Sequence, residues 1–81
     1  MFTDEYKCMV SVLGDVRREQ GITQVELATL LSKPQSFISK IENGDRRIDI
    51  VELIAIADAL KVRPSSILER LERAVSRPIA I

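Results

Sequence analysis

At 81 residues the chain has room for one domain with a thin stability margin, because a domain of this size buries only about 60% of the surface its unfolded chain exposes. Its twelve acidic and twelve basic residues cancel, which counts mildly against a nonspecific polyanion binder and leaves the distribution of charge to decide. The single cysteine, Cys8, excludes an internal disulfide and suits a reducing cytoplasm, and the absence of histidine excludes the usual zinc sites and any triad with a His base.

Phe2, Tyr6, Met9, Val10, Leu13 and Val16 recur at three- and four-residue steps and predict a helix from about Asp4 to Gln20. Gly21 fits the left-handed position just past its end. Thr23-Gln24-Val25-Glu26 reads as a capping box that opens a short helix carrying Leu27, Ala28 and Leu31. Lys33 precedes a proline and is pushed out of helical geometry, while Pro34 suits the first position of a third helix. That helix turns Phe37, Ile38 and Ile41 inward and ends at Asn43-Gly44. Arg46-Arg47-Ile48 is a loop. Asp49 caps a fourth helix with Glu52 three residues on, and Ile50, Leu53, Ile54, Ala57 and Leu60 make its apolar stripe. Arg63-Pro64-Ser65 starts a fifth, with Ile67, Leu68 and Leu71 inside. The expected domain runs over residues 1–76, and 77–81 form a short tail. No strand pattern, repeat or low-complexity segment occurs, so the expected fold is a compact all-α domain of five helices.

Two short helices joined almost without spacer are what a helix-turn-helix needs, crossing steeply over a shared apolar face. Leu27, Ala28, Leu31, Ile38 and Ile41 supply that face, and the small Ala28 permits close approach. On the outside the second helix presents Gln35, Ser36, Ser39 and Lys40. Glutamine can pair with adenine N6 and N7, and lysine with guanine O6 and N7.

The run "TQVELATLL…QSFISKIENG" resembles the lambda-repressor-like, or XRE/Cro, helix-turn-helix family. The resemblance covers roughly residues 10 to 70. It rests on Thr23-Gln24, Leu27-Ala28, Ile38-Ser39 and Ile41-Glu42-Asn43-Gly44 in this order and spacing, and "RRIDIVELIAIADAL" also looks like the family. The motif itself spans about residues 23–43. The resemblance implies a DNA-binding transcriptional regulator in which Gln35, Ser36, Ser39 and Lys40 read the major groove. Gln24 would touch phosphate and help orient Gln35. Asn43 and Gly44 would offer main-chain N–H groups to the DNA backbone, and Arg46 and Arg47 would hold phosphate from the loop. In the family, Arg17 can pair with Glu42 and tie the recognition helix to the scaffold. Two departures occur in the turn, where glycine and an aliphatic residue are usual: Ser32 must take a conformation that glycine takes more cheaply, and Lys33 replaces a core contact with a charge near a passing phosphate. At the fifth helix, Arg63 stands where Asp or Ser would cap better.

The surplus of Ile50, Val51, Ile54, Ile56, Ile79 and Ile81, together with the paired half-sites of the family, predicts a two-fold dimer through parts of helix four, helix five and the tail. The expected protein is thus a cytoplasmic, sequence-specific repressor, binding an inverted repeat in double-stranded DNA as a homodimer. No cofactor, metal or catalytic residue is expected, and no membrane span, since the longest apolar stretch, Ile50 to Leu60, is too short to cross a bilayer. Two alternatives stay open: an antitoxin or restriction-modification controller whose tail holds a second protein, and a helical interaction module without an operator.

Overall fold

The computed structural model describes residues 3–79. Phe2 and Ile81, expected on the first helix face and in the dimer surface, lie outside the described residues. Five helices follow in order: α1 (Asp4–Glu19), α2 (Gln24–Leu30), α3 (Gln35–Glu42), α4 (Ile50–Ala59) and α5 (Pro64–Ala74). No strand occurs among the described residues. Helix α2 packs on α3, α1 lies against both α3 and α5, and α4 bridges α5 and α2. The core they enclose is apolar: Val10, Val12, Leu13 and Val16 of α1; Leu27 and Ala28; Ile38 and Ile41; Leu53, Ile56, Ala57 and Leu60; and Ile67. Ile38, Ile41, Leu60 and Ile67 are the largest side chains wholly inside, each worth about 1.5–3 kcal/mol of transfer free energy.

Chain chemistry sets the helix ends. The Thr23/Glu26 and Asp49/Glu52 capping boxes both form in full, satisfying backbone N–H groups at two helix starts. Thr3 caps α1 by accepting from the Tyr6 N–H at 3.1 Å. At the other ends α1 to α4 close the same way. In each, the N–H two residues past the cap reaches back into the last turn: Ile22 to the Arg17 carbonyl at 3.1 Å, Lys33 to Ala28 at 2.9 Å, Asp45 to Lys40 at 2.8 Å and Val62 to Ala57 at 3.0 Å. This closure needs a left-handed residue between, normally glycine. Gly21 and Gly44 serve it twice, but Ser32 (φ 56°) and Lys61 (φ 60°) serve it without glycine. The strained Ser32 is the departure expected from sequence. Lys61 is not announced by any local signal.

Four expectations need correction. Pro34 is the N-cap of α3, with ψ at 156°, and the helix begins at Gln35. Leu31, expected to belong to the shared face within α2, is the half-buried residue that caps it. Along α4 the buried stripe is Leu53, Ile56, Ala57 and Leu60, whereas Ile50 and Ile54 are exposed. Helix α4 is apolar on nearly every side, so periodicity could not choose the face; contact with α5 and α2 does. In α5 only Ile67 is fully buried, Leu71 is half-buried and Leu68 faces outward. Arg63 caps α5 with no side-chain hydrogen bond, and Pro64 takes the first turn, where its missing N–H is harmless.

Candidate nucleic-acid interface

Ile38 and Ile41 anchor α3 in the core, which fixes the opposite face as the outer one. Gln35, Ser36 and Lys40 are exposed there, and Ser39 is half-buried. The Ser39 hydroxyl donates to the Ser36 carbonyl at 3.3 Å. These four expected readers therefore share one outward surface.

Behind them runs a continuous polar chain. Gln35 Nε2 donates to Gln24 Oε1 at 3.4 Å, and Gln24 Nε2 donates to Glu42 Oε1 at 2.9 Å. Arg17 grips the same carboxylate with two bonds, Nε to Oε2 at 2.7 Å and a terminal nitrogen to Oε1 at 3.0 Å. Its other terminal nitrogen donates to the Ile22 carbonyl at 2.9 Å. The Arg17 and Glu42 side chains are only 9% and 11% exposed, so this is a nearly buried fork-to-fork pair, not a solvated surface pair. It locks the end of α3 to α1 and the α1–α2 turn, and it positions Gln24, which Gln35 meets through the longer, exposed contact.

The loop after α3 is equally ordered by side chains. The main-chain N–H groups of Asn43 and Gly44 are taken by the Ser39 and Ile41 carbonyls at 2.9 and 3.1 Å. In the free chain these N–H groups therefore close the end of α3, and are not unpartnered as expected from sequence. Arg46 is bidentate to Glu52, at 3.0 and 2.9 Å, and lies 4.6 Å from the Phe37 ring centroid. The Lys33 ammonium sits 5.3 Å from the same ring. Hydrogen bonds from Arg46 and the Asp49 N–H hold the Glu52 carboxyl below its ordinary range, and Glu52 raises the Arg46 guanidinium in return. Arg47 lies 5.2 Å from the Tyr6 ring. The Tyr6 hydroxyl accepts from the Ile48 N–H at 2.8 Å and donates to the Arg46 carbonyl at 3.3 Å. Tyr6 and Glu52 are the two residues that sequence reasoning missed as supports. Tyr6 looked like one more apolar position, and Glu52 carried a cap signal that hid its second role.

The geometry is that of a helix-turn-helix, and comparison agrees. A helix-turn-helix family model matches residues 13–67. The chain belongs to the XRE-type helix-turn-helix family. Family membership makes it a DNA-binding transcriptional regulator. It is 34% identical over 59 residues to the HTH-type transcriptional regulator y4dJ of Sinorhizobium fredii (strain NBRC 101917 / NGR234), a match covering 73% of this chain and 77% of that one. The XRE-family like protein from Pseudomonas syringae pv. tomato str. DC3000 superposes with a TM-score of 0.81 at 38% identity, over 89% of this chain and 88% of that one. The restriction-modification controller protein C.Esp1396I, solved as a tetramer in complex with its natural 35 base-pair operator, superposes at 0.81 with 28% identity, over 89% of this chain and 95% of that one. No helix among the described residues is long and apolar enough to cross a membrane.

Proposed function

We propose that the chain is an operator-reading repressor that works in the cytoplasm as a homodimer. Helix α3 enters the major groove with Gln35, Ser36, Ser39 and Lys40 at base edges. Gln24, Lys33, Asn43, Gly44, Arg46 and Arg47 follow the phosphates, while Arg17 and Glu42 hold the reading helix in register. The observation that carries this reading is the chain from Arg17 through Glu42 and Gln24 to Gln35. A merely solvated helix face needs no such support. A reading side chain does, because misplacing a base contact forfeits it.

Two half-sites about one helical turn apart, roughly 34–36 Å, suit a two-fold dimer. The exposed Ile50, Val51 and Ile54 of α4, Leu68 of α5 and Ile79 of the tail supply apolar surface for it. The unit that binds is the domain over residues 1–76; in the second reading below, the tail after it would instead hold a partner protein. Autoregulation within a restriction-modification system is a second reading. It is favoured by the likeness to the C.Esp1396I controller, which extends over 89% of this chain and 95% of that one.

Gln35→Ala tests the base-reading role. It should cost about 1–3 kcal/mol on the preferred site and relax the choice of base at one position. Equal weakening on every duplex would count against readout by Gln35.

A further inference from the structure

A second groove, with Val10 at its base and polar side chains around it, lies between α1 and the C-terminal end of α3. Lys7, Ser11, Gly14 and Arg18 form one wall, Asn43 and Gly44 the other, around a volume of about 360 Å³. Residues 7, 11, 14 and 18 recur at four-, three- and four-residue steps, so they stand in one line along the helix. Lys7 is exposed and forms no ion pair among the described residues.

Gly14 gives the groove its shape. A glycine inside a helix is less stable than alanine there, so its presence in α1 calls for a reason. A Cβ at this position would stand 3.3 Å from both terminal nitrogens of Arg18, and no other group is nearer. The missing side chain is thus what lets the Arg18 guanidinium lie back along the helix into the groove.

The electrostatics suit an anion. Glu42 also lines the groove, but both its oxygens are covered by Arg17 and Gln24. Asp15 holds Arg18 at 2.8 Å through a pair that is 59% and 50% exposed; such pairs are weak and easily exchanged. Asn43, proposed above to meet the DNA backbone, lines the groove opposite α1, so the α1 wall stands next to that proposed contact.

We propose that this groove is a second phosphodiester clamp, in which Lys7 and Arg18 each hold a backbone phosphate of the bound duplex beyond those reached from the loop after α3. The clamp adds affinity without reading sequence. It rests on the DNA-binding reading, and its test separates the two.

Binding of a selected and a random duplex is followed by fluorescence anisotropy across a salt series. Lys7→Ala and Arg18→Ala should each lower the slope of log K against log salt by about 0.9, and the double variant by about twice that. Both duplexes should weaken by the same factor. Gly14→Ala, which displaces the Arg18 head while favouring the helix, should lower the slope with no fall in thermal midpoint, so unfolding cannot explain the loss. Lys61→Ala, on the α4–α5 turn outside the groove, should leave the slope unchanged. A wild-type slope in the double variant overturns the clamp while the DNA-binding reading stands. An equal loss in Lys61→Ala also overturns it, since net charge alone would then account for the effect. A titration with inorganic phosphate in place of duplex, showing binding that the double variant abolishes while its duplex slope is unchanged, would overturn it in favour of a free-anion site. If the wild type bound no duplex at all, the DNA-binding reading would fail and the clamp with it.

Discussion

Arg17→Ala should be the most damaging single substitution outside the apolar core. Arg17 donates three hydrogen bonds, two to Glu42 and one to the Ile22 carbonyl. Truncation removes all three and leaves the Glu42 carboxylate, 11% exposed, with Gln24 as its remaining donor. Breaking one side of a buried pair costs about 3–5 kcal/mol, and the slight exposure here argues for the lower end, about 3 kcal/mol. A domain of this length has about 4–12 kcal/mol in total, so the variant loses a large share. A loss of that size lowers the thermal midpoint by about 12–24 °C. Urea denaturation followed by far-UV circular dichroism measures it. Arg17→Lys should recover only part of the loss, because a lysine ammonium cannot make the two-pronged contact. Replacing both partners, as Arg17→Met with Glu42→Leu, should cost less than the sum of the single changes, since no charge is stranded. A loss below about 1 kcal/mol for Arg17→Ala would instead place the pair in the range of a solvated surface contact.

Lys61→Gly should stabilise the chain by about 1 kcal/mol, because a non-glycine residue in the left-handed region costs about 1–2 kcal/mol and glycine returns part of that in chain entropy; Lys61 stands at φ 60°, and scanning calorimetry showing a lower midpoint would contradict this. The carboxyls of Glu19, Glu26 and Glu52 are all held below the ordinary value of 4.5, by Arg70, by the Thr23 backbone and hydroxyl, and by Arg46 with the Asp49 N–H, respectively. A depressed folded-state value means that stability is present above the unfolded value and is lost as pH falls through the folded one. The thermal midpoint should therefore be level from pH 7 down to about 5 and fall below the unfolded value, with a smaller fall in Glu52→Gln; an identical acid limb in that variant would remove Glu52 from the account. Glu19 and Glu26 are exposed and Glu52 is half-buried, so added salt should shrink the effect, least for Glu52.

Much of the fold could be read from sequence because its signals are local. Thr23 with Glu26 and Asp49 with Glu52 announced two helix starts, and Gly21 and Gly44 two helix ends. The outer face of α3 was legible because Ile38 and Ile41 fix the inner one. Errors arose where a tertiary contact decides. Ile50 and Ile54 match a helical stripe as well as Ile56 does, and only the seating of α4 against α5 and α2 puts Ile56 inside. The bidentate bond from Arg46 to Glu52, six residues on in the next helix, was not legible from the charge of either residue. The Tyr6 hydroxyl reaches 42 residues along the chain to the Ile48 N–H, a distance over which no sequence pattern speaks. Lys61 shows the converse limit: the closure that ends α4 forms without the glycine that would have advertised it.

Gln35, Ser36, Ser39 and Lys40 are proposed to read a defined operator in pairs. Selection of bound sites from a random duplex library at near-physiological salt tests it most directly. The expected result is an enriched inverted repeat, with half-sites centred about one helical turn, 10–10.5 base pairs, apart. Binding without an enriched sequence, disappearing as salt rises, would contradict it and leave only backbone electrostatics.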